Sequence, residues 1–114
     1  MTPAPFHVEP DPAAAIEVPA VGTLSRTLHK DDDLRVVVFG FAEGEELSEH
    51  TASRPAVIQV LRGELELTLA GESVTAGEGA WIHMTAGLRH AVRARTPAVM
   101  LLTLLRQGGG SPDD

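Results

Sequence analysis

Five histidines are the main chemical resource of this 114-residue chain, which has no cysteine and no tyrosine. Without thiolates no disulfide can form, and any metal must be held by imidazole nitrogen, carboxylate or amide oxygen. His50, His83 and His90 fall at or near the ends of segments that read as strands. An imidazole there can ligate a divalent ion, exchange hydrogen bonds with a ligand, or act as a general base near neutral pH. His7 lies in a proline-rich N-terminal stretch and His29 beside the acid cluster Asp31-Asp32-Asp33, and both read as exposed side chains without a chemical role. Glu43, Glu45, Glu46 and Glu49 precede His50 and read as a solvated loop rim.

The elements that must position these side chains are short and β-rich. Leu34 to Ala42 contains the run Val36-Val37-Val38-Phe39, apolar on both faces, as expected of a strand buried on both sides. Glu64-Leu65-Glu66-Leu67-Thr68-Leu69 alternates with a period of two, which puts its leucines on one face and leaves the other wet. Further strands are predicted over Ser25 to Lys30, Ala56 to Leu61, Glu72 to Ala76, Ala80 to Met84, Leu88 to Ala94 and Ala98 to Leu105, with a hairpin turn at Ala70-Gly71. For Ala98 to Leu105 the Leu and Met content leaves a buried helix as the alternative. No window keeps a helical period with caps, so the fold class is all-β, a sandwich or barrel of about eight strands. Gly40, inside a strand pattern, signals a bulge or a close backbone approach. Pro3, Pro5, Pro10, Pro12 and Pro19 make residues 1–21 an extended arm; 22–106 form a single folded domain; 107–114, with Gly108-Gly109-Gly110, read as a flexible tail.

Two segments resemble the paired motifs of the cupin family. Gly44-Glu45-Glu46-Leu47-Ser48-Glu49-His50-Thr51-Ala52 through Gly63 is similar to the first motif, in which a glycine is followed by an HxH pair, a glutamate and a closing glycine. Gly79-Ala80-Trp81-Ile82-His83-Met84-Thr85-Ala86-Gly87-Leu88-Arg89-His90 is similar to the second, with Thr85 in place of its proline. The chain thus resembles small single-domain cupins of the RmlC-like kind, mostly without an assigned reaction. The resemblance implies a double-stranded β-helix, or jelly-roll barrel, with a ligand cavity at its mouth and often a divalent metal held by three histidines and a glutamate. His50 matches the first ligand position and His90 the last. The second histidine position is Ala52 and the glutamate position is Ala56. Loss of the carboxylate removes the two-histidine-one-carboxylate arrangement of non-haem iron oxygenases.

The leading expectation is therefore a small-molecule-binding cupin with a reduced two-histidine site. His50 and His90 are the metal candidates, His83 a third if its strand register turns it inward, and Ala52, Ala56, Ile58 and Val60 the expected pocket lining. The cofactor expectation is one divalent transition metal (Zn, Ni, Fe, Mn or Cu) or none. The competing readings are a metal-dependent oxygenase-like enzyme, a metal-free isomerase using a pocket histidine, and a structural module with a vestigial pocket. Nine Lys+Arg against sixteen Asp+Glu give a formal net charge of −7, which argues against nucleic acid and anionic membranes as partners. No apolar run approaches the roughly 20 residues that span a bilayer, and no secretion signal is visible. The absence of cysteine fits a cytoplasmic protein, and a homodimer is expected, because an open β-sandwich with an extended arm has strand edges to cover.

Overall fold

The computed structural model describes residues 4–106, so the predicted tail 107–114 lies outside the described residues. Nine strands follow a short 3-10 turn at Pro12–Ala15: β1 Thr23–Lys30, β2 Leu34–Phe41, β3 Glu46–Thr51, β4 Ala56–Arg62, β5 Leu65–Leu69, β6 Glu72–Ala76, β7 Trp81–Met84, β8 Arg89–Ala94 and β9 Ala98–Leu105. They form a five-stranded sheet, β1-β2-β9-β4-β7, and a four-stranded sheet, β3-β8-β5-β6, in which every recorded pairing is antiparallel. This is the expected jelly roll. The segment Ala98–Leu105 is a strand and not the alternative helix, since it pairs along its whole length between β2 and β4. No helix among the described residues is long and apolar enough to cross a membrane.

Alternation along the strands separates an interior from two outer faces. Ala56, Ile58 and Val60 of β4, Leu65 and Leu67 of β5, Val92 and Ala94 of β8, and Ala98 and Met100 of β9 are buried in one core with Phe41 and Met84. Burying each large side chain contributes about 1.5–3 kcal/mol relative to exposure. The exposed ion pairs Arg95–Glu64, 3.2 Å, and Arg106–Asp33, 3.7 Å, are each of a kind that contributes about 0–1 kcal/mol. Sheet-on-sheet burial therefore holds the barrel closed. At the β5–β6 hairpin Ala70 and Gly71 both have positive φ, 50° and 86°, the combination that lets a two-residue turn follow the twist of its strands.

Two differences from the sequence reading bear on the site. The acid-rich stretch before His50 is not wholly a loop: Glu46 and Glu49 belong to β3, an exposed strand paired with β8. The N-terminal arm, beyond its short turn, lies on the outer face of the five-stranded sheet. The turn lies against β2, β4 and β9, and Arg26 Nη1 donates to the Ala15 carbonyl at 3.2 Å. Val37 and Val38 of β2 are consequently both buried although they point to opposite faces. The glycine within β2 has its cause here as well, because a Cβ on Gly40 would strike the backbone carbonyl oxygen of Glu17.

Gly40→Ala should therefore displace the arm while leaving the barrel folded. The expected result is destabilisation of about 1–3 kcal/mol, with faster proteolysis between Pro10 and Val21. Unchanged melting and unchanged arm proteolysis would show that the arm does not pack as described.

Candidate functional site

The site starts from a break in alternation. Leu47 is opposite Val92 and packs against the core, so strict alternation along β3 would turn His50 outward. Between Leu47 and His50 the register shifts by a bulge, which advances the phase and sets His50 directly opposite His90. His90 shares the inner face of β8 with Val92 and Ala94, and its other neighbour in register, on β5, is Leu69. The two imidazole centroids are 4.2 Å apart with the rings tilted by 59°. His90 is 7% exposed, and His50, closer to the rim, is exposed.

Both rings are held the same way. His50 Nδ1 lies 2.9 Å from the Ser48 carbonyl oxygen, and His90 Nδ1 lies 2.9 Å from the Leu88 carbonyl oxygen. A carbonyl only accepts, so each Nδ1 carries the proton and donates. In the neutral ring Nε2 is then left as a bare acceptor. Two neighbouring imidazoles thus each leave an Nε2 lone pair outside these bonds. The loops around them are tied together, since Gly87 N–H donates to the Ala52 carbonyl at 2.7 Å. Outside the rim Glu49 and Arg89 form a 3.9 Å ion pair between half-exposed side chains.

The other expected site residues are placed differently. His83 is not brought to the pair: within β7 Ile82 and Met84 face the core, so Trp81 and His83 point to the outer face, their rings stacked with centroids 6.4 Å apart. Ala56, Ile58 and Val60 do not line a pocket. They are at most 2% exposed, packed into the core, and the interior behind the histidines is filled in part by Met84 and Met100. Ala52 is half-buried beyond the end of β3, in the loop that Gly87 holds. Gln59 sits opposite Trp81, in phase with the outer side chains of β4. Two hollows lie under the N-terminal arm, lined in part by His7 and His29, which the sequence reading left without a role. Only the path of the arm brings those residues together, and no local pattern encodes that path.

The donor set does not fit a resident catalytic metal. Such centres use at least three protein ligands in most enzymes, whereas His50 and His90 supply two nitrogens and alanines stand at the remaining family positions. Among the described residues no group of three or more His, Cys, Asp or Glu side chains converges on one point.

Comparison with known proteins supports the same architecture. The family model described as a cupin domain matches residues 37–104. No curated protein matches the chain. A conserved protein of unknown function from Streptococcus pyogenes is 28% identical, with a TM-score of 0.80 over 95% of this chain and 93% of its own. A cupin superfamily protein from Desulfitobacterium hafniense is 26% identical, with a TM-score of 0.78 over 88% of this chain and 93% of its own. Salicylate 1,2-dioxygenase from Pseudoaminobacter salicylatoxidans is similar in fold alone, at 16% identity and a TM-score of 0.69 over 73% of this chain and 25% of its own. By its paired motifs, its jelly roll and the family match over most of that barrel, this chain belongs to the cupin family.

Proposed function

We propose that this cupin binds a small organic molecule at the rim of its barrel, with His50 and His90 as the recognition groups. The observation that carries this reading is the pair of bare Nε2 acceptors, fixed by two hydrogen bonds to backbone carbonyls. Two neighbouring acceptors suit a ligand that presents hydroxyl donors, and Leu69 beside His90 offers an apolar shoulder. Because the interior is packed, the ligand caps the mouth rather than entering the barrel. A divalent metal is optional in this reading. The same Nδ1–H tautomer is the one that Nε2-ligating histidines use, and two nitrogens alone would hold Zn, Ni or Cu weakly.

Thermal denaturation in the presence of a panel of small hydroxylated acids, sugars and phenols tests the reading. A ligand at a hundred times its Kd adds about 2.7 kcal/mol to the stability of the form that binds it. At least one compound class should raise the melting temperature of the native protein, with or without EDTA, and lose its effect in His50→Ala and His90→Ala. A shift that persists in both variants would place binding elsewhere. If no compound produces a shift, the recognition role fails, and a shift abolished by EDTA would make the metal obligatory.

The outer face of β4 and β7 supports a homodimer as part of the same proposal. Trp81 is 61% exposed there, flanked by His83 and by the half-buried Val57 and Gln59. An exposed tryptophan on an open sheet face is the kind of anchor that interfaces bury. Light scattering at tens of micromolar, an order-of-magnitude working concentration for such association, should give twice the 12.1 kDa chain mass, and Trp81→Glu should give the single mass. A native monomer, or a dimer indifferent to Trp81→Glu, contradicts this arrangement.

A further inference from the structure

On the far side of the five-stranded sheet from His50 and His90 lies a second cluster of ionisable side chains. The N-terminal arm crosses there above β1 and β2 and encloses a hollow of about 370 Å³. Its floor is apolar, built from Leu34 and Val36 of β2, Leu101 of β9, and Leu28, which the register irregularity in β1 between Thr27 and His29 leaves out of the ladder. Its rim is polar and built in two matching halves. His7 and Glu9 come from the arm, with Nε2 3.1 Å from a carboxylate oxygen; His29 and Asp31 come from the end of β1, with Nε2 2.7 Å from the carboxylate. The two imidazoles stack across the gap, centroids 4.5 Å apart and planes within 28°.

The chemistry of the rim selects the sign of the occupant. The hydrogen bond from His29, together with the backbone N–H groups of Asp33 and Leu34, holds the Asp31 carboxyl down to about 2, so it is ionised throughout the physiological range. An ionised carboxylate only accepts, so Nε2 of His29 carries a proton and donates to it. A contiguous hollow of about 440 Å³ adds Phe6, Asp32 and Asp33, with Lys30 as the one permanently charged cation lining either space among the described residues. Arg106 offsets Asp33 at 3.7 Å. Glu9, Asp31 and Asp32 thus outweigh Lys30 beside an apolar floor, and Phe6, 74% exposed, adds to the lining an aromatic ring of the kind that attracts cations.

We propose that this hollow is a binding site, separate from the histidine pair at the barrel rim, for a small organic cation: a protonated amine whose apolar body rests on Leu34, Val36 and Leu101 while its ammonium lies among Glu9, Asp31 and Asp32. The volume lies in the range of small-molecule pockets. An anion of the same shape meets carboxylates, and a neutral analogue loses the charge attraction. Occupancy would also pin the arm, because one half of the rim belongs to it.

Carbon-detected NMR of the histidine rings and leucine methyl groups in the full chain tests the site, using benzylammonium, benzyl alcohol and benzoate as ligands. Benzylammonium should give saturable shifts centred on His7, His29 and Leu101, with benzyl alcohol and benzoate each weaker by at least about fivefold. Glu9→Gln, a surface change that leaves the barrel untouched, should weaken benzylammonium by about fivefold, whereas His50→Ala should leave its affinity unchanged. Benzoate binding as well as benzylammonium, shifts centred on His50 and His90, or no saturable shift up to tens of millimolar, taken as the weak end of ligand affinities, would each overturn the proposal. The His50→Ala arm separates its failure from that of the rim site.

Discussion

The pairing of β3 with β8 carries more consequence than any other contact in the molecule. It joins an exposed, acid-rich strand to one whose alternate residues are buried, and its bulge converts an outward histidine into an inward one. Two residues far apart in the chain then meet at 4.2 Å between ring centres. Once there, each is fixed by its own stretch of chain, because the carbonyl two residues before it accepts the hydrogen bond from Nδ1–H. The tautomer is therefore a property of local backbone and does not require a buried carboxylate partner. That economy fits a site from which the family's glutamate position has been lost to Ala56.

The interior of the barrel sets the limit on what the pair can do. Removing large polar ligands from a cupin mouth could leave a cavity, but here Met84, Met100, Ile58 and Leu67 occupy the inside at close to zero exposure. Methionine is suited to such filling, since its unbranched side chain adapts to irregular gaps. The histidine contacts accordingly lie outside this core: the His50–His90 pair on one side and the space beneath the arm on the other. Both places put imidazoles in contact, yet their wiring is opposite. At the rim Nδ1 is tied to backbone carbonyls and Nε2 is bare; under the arm Nε2 is tied to carboxylates.

Much of the fold was readable from residues because most strands obey a simple code. Ala98–Leu105 and Glu72–Ala76 have the bounds their apolar and turn signals predict, and Gly40 marks the close backbone approach that a glycine inside a strand suggests. β3 escaped that reading because it has little apolar alternation to show: only Leu47 packs inward before the bulge shifts the phase. His50 and His90 stood out, with His83, near the ends of strand-like segments, and it was the family motifs that paired them. His83 was undecided for a physical reason, since one step of register separates the two faces of a strand, and Met84 takes the interior place beside it. The meeting of His7 with His29 depends on how a proline-rich arm folds back over a sheet, an encounter between distant segments that neither composition nor spacing specifies.

The central claim is that the neighbouring rings of His50 and His90 each present an unprotonated Nε2. Long-range proton–nitrogen correlation NMR on nitrogen-15-labelled protein, recorded above the histidine titration range, reads the tautomer of each ring directly. The account predicts that both rings show a protonated Nδ1 and a bare Nε2. A protonated Nε2 on either ring would contradict it, because the pair would then lack one of the two acceptors on which recognition at the rim depends.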